Sequence, residues 1–271
     1  MILAALITAS AQKYQVYGPQ GGLDIKITLP EGFNPETDRC PMVILMHGIF
    51  SSKKSRLITS LAKGLAKEGI GTISFDFDGH GKSQGRIVDM TVEKEIADAM
   101  AILDYVRSLP YVSQIGFLGH SQGGVIASMA AGRLAAHGDS VPVALALLAP
   151  GSIIKEACQA GIFFNARFNP EDPPESVSIF GSRKLGREYM VSTQDLDIFG
   201  TAVFYQGPVC ILHGSKDSIV PLWCSERFIE AYDGRATLTI IDGASHTFAR
   251  HRKEAVAQAV PFFKAVFFGQ E

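Results

Sequence analysis

At 271 residues, 46% of them hydrophobic, the chain can bury one large core and suits a single α/β domain with room for a small insertion. Lysine and arginine total 25 against 27 for aspartate and glutamate, so the net charge of −2 leaves no electrostatic footprint for nucleic acid. No stretch is long and apolar enough to span a bilayer, and a small molecule, recognised locally, is the expected partner.

Residues 1–12 form a short apolar run ending in Ala9-Ser10-Ala11, which reads as the remnant of a secretory signal peptide; the alternative is an ordinary N-terminal strand or helix. The first reading puts the protein in a secreted or periplasmic setting. The folded domain is expected over 13–271. Tyr14 to Tyr17 and Leu23 to Leu29 alternate apolar and polar residues around Gly18-Pro19-Gln20-Gly21-Gly22, as an antiparallel hairpin would. Pro30 to Pro41 reads as a loop. Met42 to Met46 is a continuous apolar run of the kind buried on both faces of a parallel sheet, closed by His47-Gly48-Ile49-Phe50. Leu57, Ile58, Leu61, Ala62, Leu65 and Ala66 then share one helix face that ends at Gly69.

A strand over Gly71 to Phe77 leads into Asp76 to Ser83, which contains Gly81-Lys82-Ser83. A phosphate-binding loop needs glycine five residues before that triplet; Asp76 stands there, and no helix follows, so nucleotide binding is rejected. Thr91 can cap a helix whose apolar face is Val92, Ile96, Met100, Leu103 and Val106, with Glu93 and Glu95 near its positive end. Pro110 stops it.

Ile115 to Leu118 is again apolar, breaks into Gly119-His120-Ser121-Gln122-Gly123, and resumes with helical spacing at Val125, Ile126, Met129 and Ala130. A Gly-x-Ser-x-Gly pattern alone is weak, arising by chance in roughly one chain in ten of this length. Between a strand and a helix it means more: such a turn forces the serine into a strained backbone that only glycine two before and two after permits. Ser121 would stand exposed at the strand end as a nucleophile, with the Gln122 amide aimed into the same space.

Val143 to Leu148 is a further strand. From Ser152 to Gln206 the regular alternation fails, with Phe163, Phe164 and Phe168 clustered; this stretch reads as an inserted lid carrying its own elements. Its phenylalanines fit either a small internal core or an apolar wall for a substrate. Val209 to Leu212 resumes the sheet, Trp223 to Tyr232 is helical, Ala236 to Ile241 is a last strand and Ala255 to Phe268 a closing helix. The alternation predicts an α/β fold with a mostly parallel sheet and helices on both faces. Cys40, Cys158, Cys210 and Cys224 lack metal-type spacing and are expected as free thiols.

A serine nucleophile needs a base, and the base an orienting carboxylate, both on loops at the carboxyl edge of the sheet. The strand ending at Leu212 is followed by Asp217, and the strand ending at Ile241 by His246, so Ser121, Asp217 and His246 fall in α/β-hydrolase chain order. His47, His80 and His120 abut glycines in tight turns and suit structural hydrogen bonds. Asp242, Asp195 and Asp197 are rival acids, the latter two inside the insertion. The second oxyanion donor is expected from the Ile49 amide, with Phe50 as its neighbour. No cofactor or metal is required by this chemistry. If the Gln122 donor is its amide, replacing the Gln122 side chain should be mild.

His47-Gly48-Ile49, Asp76 to Ser83, Gly119 to Val125, Leu148-Ala149-Pro150, Gly207 to Pro221 and Gly243-Ala244-Ser245-His246 together resemble the cinnamoyl (feruloyl) esterase-like branch of the serine α/β-hydrolases. The resemblance runs from about Met42 to Phe263. It implies an α/β-hydrolase fold, a serine esterase and esters of hydroxycinnamic acids as substrates, although monoacylglycerol lipase-like enzymes share several of the motifs. Lipase or thioesterase action on aliphatic acyl groups is the rival activity, and a non-catalytic binding protein the rival class. The chain departs from the branch shortly after Pro150, where a lid acid for the phenolic hydroxyl is expected and Lys155-Glu156-Ala157 stands.

Overall fold

The computed structural model describes residues 16–269, so the proposed signal remnant lies outside the described residues. In chain order the elements are β1 (Val16–Gly18), β2 (Gly21–Leu23), β3 (Ile25–Thr28), β4 (Cys40–Met46), α1 (Arg56–Lys67), β5 (Gly71–Phe75), α2 (Val92–Ser108), β6 (Val112–His120), α3 (Gln122–Ala136) and β7 (Ala144–Leu148). The insertion follows with α4 (Ile154–Gln159), β8 (Ile162–Phe163), β9 (Ala166–Arg167), β10 (Ser176–Ile179), β11 (Arg183–Gly186), α5 (Arg187–Ser192) and α6 (Ile198–Ala202). The chain then returns through β12 (Val209–Gly214), α7 (Trp223–Tyr232), β13 (Ala236–Ile241) and α8 (Arg252–Phe268).

Seven strands form the central sheet in the order β13-β12-β7-β6-β4-β5-β3. All neighbours are parallel except β3, which pairs antiparallel with β5. Strands β4, β5 and β7 are buried along their whole length, because helices cover both faces. Their apolar residues therefore divide between two cores: Ile44 and Phe117 face one side, Val43 and Leu118 the other.

The helix starts follow local chemistry. The Ser55 side chain accepts from the Ile58 amide ahead of α1, and Thr91 accepts from Lys94 ahead of α2. Helix α3 is apolar nearly all round and buried nearly all round, since β6 lies beneath it and α6 of the insertion lies over it. A Cβ at Gly132 would collide with the Thr201 carbonyl of α6, so the insertion touches the backbone of α3.

Several expectations are redrawn. The hairpin closes around Pro19-Gln20 between β1 and β2, while Ile25–Thr28 is a separate strand on the main sheet; Tyr14 lies outside the described residues. Strand β4 begins at Cys40, before Pro41, because the register against β6 shifts there and a bulge tolerates the missing amide. Helix α8 begins at Arg252, three residues before the expected start, and runs through Pro261 to Phe268 as expected. Glu95, expected near the positive end of α2, is there and is buried. All four cysteines are buried and free.

Candidate active site

Strand β6 ends at His120, and Ser121 turns sharply into α3 with φ 57 and ψ −123, a conformation an L-residue adopts only under constraint. The constraint is visible. A Cβ at Gly119 would collide with the Gly123 carbonyl, and a Cβ at Gly123 with the carbonyls of Met46 and His47, so both glycines are sterically required. The Ser121 amide donates to the Leu148 carbonyl at 2.9 Å, and the Ser121 carbonyl accepts from Gly151 at 3.0 Å, which anchors the turn to the end of β7. Gly48 abuts the Ser121 side chain from the other side.

Three residues distant in sequence meet at this turn. His246 Nε2 lies 2.9 Å from Ser121 Oγ, and His246 Nδ1 lies 2.8 Å from Asp217 Oδ2. The other Asp217 oxygen accepts from the amides of Ile219 and Val220, both at 2.9 Å. Burial pushes the Asp217 carboxyl up, but the His246 bond and charge and the two backbone donors outweigh it and hold the group below its ordinary range. Asp217 is thus an ionised acceptor that fixes the proton of His246 on Nδ1 and leaves Nε2 to accept from the serine. Asp242 is exposed and accepts from Ser215, while Asp197 caps α6 through the Gly200 amide, so neither faces His246.

The other histidines hold loops. His47 Nδ1 donates to the Gly48 carbonyl and its Nε2 accepts from Phe77; burial pulls its pKa far down, so the ring is neutral. His120 Nε2 donates to the His246 carbonyl at 2.8 Å, and burial lowers His120 to about 3. His80 Nε2 accepts from the Phe50 amide at 3.2 Å. That bond commits Phe50 and leaves Ile49 as the free candidate between the two. The Gln122 amide opens α3 and has no carbonyl a turn earlier to pair with.

A cavity of about 540 Å³ opens beside Ser121. Ile49, Gln122 and Gly151 line its floor, Ile154, Ala157, Phe163, Phe164 and Phe180 of the insertion one wall, and Ile219 and Val220 another. Phe163 is buried against Tyr189, Phe164 stands between Phe163 and Phe180, and Phe168 does not reach the cavity. Phe163 thus packs inside the insertion and also reaches the cavity, while Phe164 lines it and Phe168 does not. Glu156 also lines the cavity; its Oε1 accepts from Arg227 at 3.0 Å, and its buried Oε2 has no hydrogen-bond partner among the described residues.

Sequence reading missed one set of polar residues entirely. The Gln122 side chain is 1% exposed, donates to Glu95 Oε2 at 2.6 Å and accepts from the Tyr189 hydroxyl at 2.6 Å. Only the Glu95-Ile96 helix period hinted at contact, and a glutamate beside it read as surface. Among the described residues no group of three or more His, Cys, Asp or Glu could hold a metal ion, and no helix is long and apolar enough to cross a membrane.

A strand, a strained serine and a helix at the carboxyl edge of a mostly parallel sheet have counterparts in known proteins. The family model described as serine aminopeptidase, S33, matches residues 37–168. A structure of Est1E from Butyrivibrio proteoclasticus with ferulic acid bound superposes with a TM-score of 0.83 at 29% identity, covering 89% of this chain and 94% of that one. This chain has the α/β-hydrolase fold and is similar to serine α/β-hydrolases. A second Est1E structure gives a TM-score of 0.82 at 26% identity over 93% of this chain and 97% of that one. An α-β serine hydrolase homologue from Coxiella burnetii shares the fold, with a TM-score of 0.65 at 22% identity over 91% of this chain and 94% of its own. No curated protein matches the chain. The expected resemblance to this hydrolase group holds, and so does the expected fold.

Proposed function

We propose that this α/β-hydrolase is a serine carboxylic-ester hydrolase acting on esters of small aromatic acids. The observation that carries the reading is the hydrogen-bonded line from Ser121 Oγ through His246 to Asp217, 2.9 and 2.8 Å long, opening on an apolar cavity. Ser121 attacks the ester carbonyl while His246 Nε2 takes its proton, and Asp217 orients and stabilises the imidazolium. The oxyanion is held by the amides of Ile49 and Gln122. His246 then protonates the departing alcohol, and a water activated by the same nitrogen releases the acid from Ser121. Every proton is handled by the protein's own side chains.

The aromatic acyl group is supported by the cavity's shape and walls and by the ferulic acid in Est1E. Its lining, with Ile154, Phe163, Phe164 and Phe180, is largely apolar and suits a planar ring. The insertion 152–206 is a lid in this reading, forming one wall over the serine. The test is a serine-reactive phosphonate followed by a panel of feruloyl, acetyl, long-chain acyl, thioester and aminoacyl amide substrates. Labelling of Ser121 with the highest kcat/KM on the feruloyl ester is expected. No labelling would favour a binding protein, and preference for the long chain, thioester or amide would move the activity elsewhere.

A further inference from the structure

Helix α2 carries a carboxyl group beneath the serine turn that the hydrolytic steps above do not use. Glu95 is 2% exposed. Its Oε2 accepts from Gln122 Nε2 at 2.6 Å, and its Oε1 lies 3.7 Å from His80 Nδ1 with no hydrogen-bond partner among the described residues. Because the Phe50 amide donates to His80 Nε2, the His80 proton sits on Nδ1, which donates to the Asp78 carbonyl at 3.2 Å and lies 3.7 Å from Glu95 Oε1. The two oxygens of one carboxyl thus face two residues with separate tasks. Gln122 bears one oxyanion amide itself, and His80 fixes Phe50, the residue next to the Ile49 amide. On its far side the Gln122 side chain accepts from Tyr189 of α5, so the insertion is tied into the same chain of contacts.

We propose that Glu95 is a positioning residue for ester hydrolysis, aligning the Gln122 amide directly and the Ile49 amide through His80, with Tyr189 locking the arrangement from the insertion. The inference rests on Ser121 being the nucleophile. Its physical basis is that an amide stabilises an oxyanion only when its direction is fixed before the charge develops. The Ser121 carbonyl, in the same peptide plane as the Gln122 amide, accepts from Gly124 at 2.9 Å and Gly151 at 3.0 Å, and the Gln122 side-chain bonds to Glu95 and Tyr189 add a second hold on the residue bearing that amide.

Protonation sets how well Glu95 can do this. Burial pushes Glu95 up to about 8, the Gln122 bond draws it down and the Asp78 carboxylate pushes it up again. The titratable groups around it are His80 and Asp78 from the loop after β5, Asp98 on its own helix and Tyr189 from α5. His80 is kept neutral by burial, at about 4, and burial holds the Tyr189 hydroxyl protonated. Protonated Glu95 turns an O–H toward the His80 N–H, two donors facing each other. Ionised Glu95 accepts from Gln122 and attracts the His80 N–H 3.7 Å from its other oxygen, so one carboxylate acts on both loops.

The experiment follows kcat, KM and the rate of phosphonate labelling of Ser121 from pH 6 to 9.5 for the wild type, Glu95→Gln, Glu95→Ala and Tyr189→Phe. In the wild type kcat and labelling are expected to rise with a midpoint near 8. Glu95→Gln keeps an acceptor for Gln122 but presents a fixed donor to His80, so it should lose that rise, with kcat about tenfold low at pH 9 and KM within about threefold. Glu95→Ala should be low at every pH, by about a hundredfold, and Tyr189→Phe by a few-fold in kcat alone. A folded Glu95→Gln whose kcat profile follows the wild type, or a loss confined to KM, overturns the inference. If neither Glu95 variant folds, Tyr189→Phe decides: wild-type kcat with a flat wild-type profile between pH 7 and 9.5 overturns it. A wild type that phosphonate does not label at all would instead remove the nucleophile reading on which the inference stands.

Discussion

Between Cys40 and Leu148 the chain alternates strand and helix, and its left-handed residues are glycines apart from Phe50 and Ser121; from Ser152 to Gln206 it makes short strands and single-turn helices, and two phenylalanines take the left-handed conformation. Phe164 has φ 51 and Phe180 φ 47, and both line the cavity beside Phe163. The core fixes where a serine, a histidine and an aspartate meet, through backbone sterics that few sequences satisfy. The insertion decides the shape of the space in front of them, through side chains in conformations that cost about 1–2 kcal/mol each and are retained where packing or substrate requires them. Under the proposed function, chemistry and selectivity fall to regions built on different terms, and substitutions should separate them.

The deepest effects are expected in the core. Ser121→Ala should lower turnover on the order of a million-fold with a melting temperature close to wild type, measured by ester hydrolysis and thermal unfolding; activity within tenfold would break the proposed mechanism. Asp217→Asn should cost about ten-thousand-fold by favouring the wrong imidazole tautomer. Next in size is backbone sterics. Gly123→Ala drives a methyl into the Met46 and His47 carbonyls and should destabilise the fold by several kcal/mol, whereas Gly181→Ala in the β10–β11 turn meets open space and should cost only about 1 kcal/mol for its left-handed backbone. Comparable losses in chemical denaturation would show that the two regions are not so different.

The core was readable because each of its signals is local. Ser121, Asp217 and His246 each follow a strand, and the glycines flanking Ser121 are dictated by the turn itself. Burial of Glu95 was not readable, since a glutamate in the first turn of a helix ordinarily faces water, and what covers it comes from Gln122 and from Tyr189, which is 67 residues beyond Gln122. The same contacts revise the expectation for Gln122: its replacement by alanine strands a buried carboxyl and a buried hydroxyl, so a substantial loss of stability now accompanies any effect on the amide. In the insertion, composition indicated apolar clustering but not that Phe163 and Phe164 would face the cavity while Phe168 packs elsewhere. Pro41 misled for a simpler reason: a bulge tolerates a missing amide when the surrounding contacts are strong enough.

The insertion cannot be tested by deletion, because α6 covers α3 at Gly132 and Tyr189 holds Gln122. Point changes at the cavity mouth sharpen the comparison instead. Phe164→Ala and Phe180→Ala, partly exposed and clear of Ser121, should raise KM for a feruloyl ester by about tenfold and for an acetyl ester by less than twofold, with kcat on the acetyl ester retained. Equal losses on both esters would mean that these rings support the serine turn and do not choose the acyl group.

The smallest effect expected is on stability against pH, and it belongs to the core alone. Burial pushes Asp98 up to about 9; its Oδ2 accepts from the Asp78 amide at 2.9 Å and its Oδ1 is unpaired among the described residues. Asp78, on the facing loop, is also raised by burial. A carboxyl whose folded pKa lies above its unfolded value of about 3.9 binds its proton more tightly in the native state, so the stability it contributes is complete below that value and is lost as pH rises through the folded pKa. The wild-type melting temperature should therefore fall between about pH 4 and pH 9. Asp98→Asn keeps an acceptor for the Asp78 amide and removes the proton, so its melting temperature should decline less over the same range, by a few degrees at pH 9. A variant and wild type that decline in parallel would show that Asp98 is ionised in the folded protein at neutral pH.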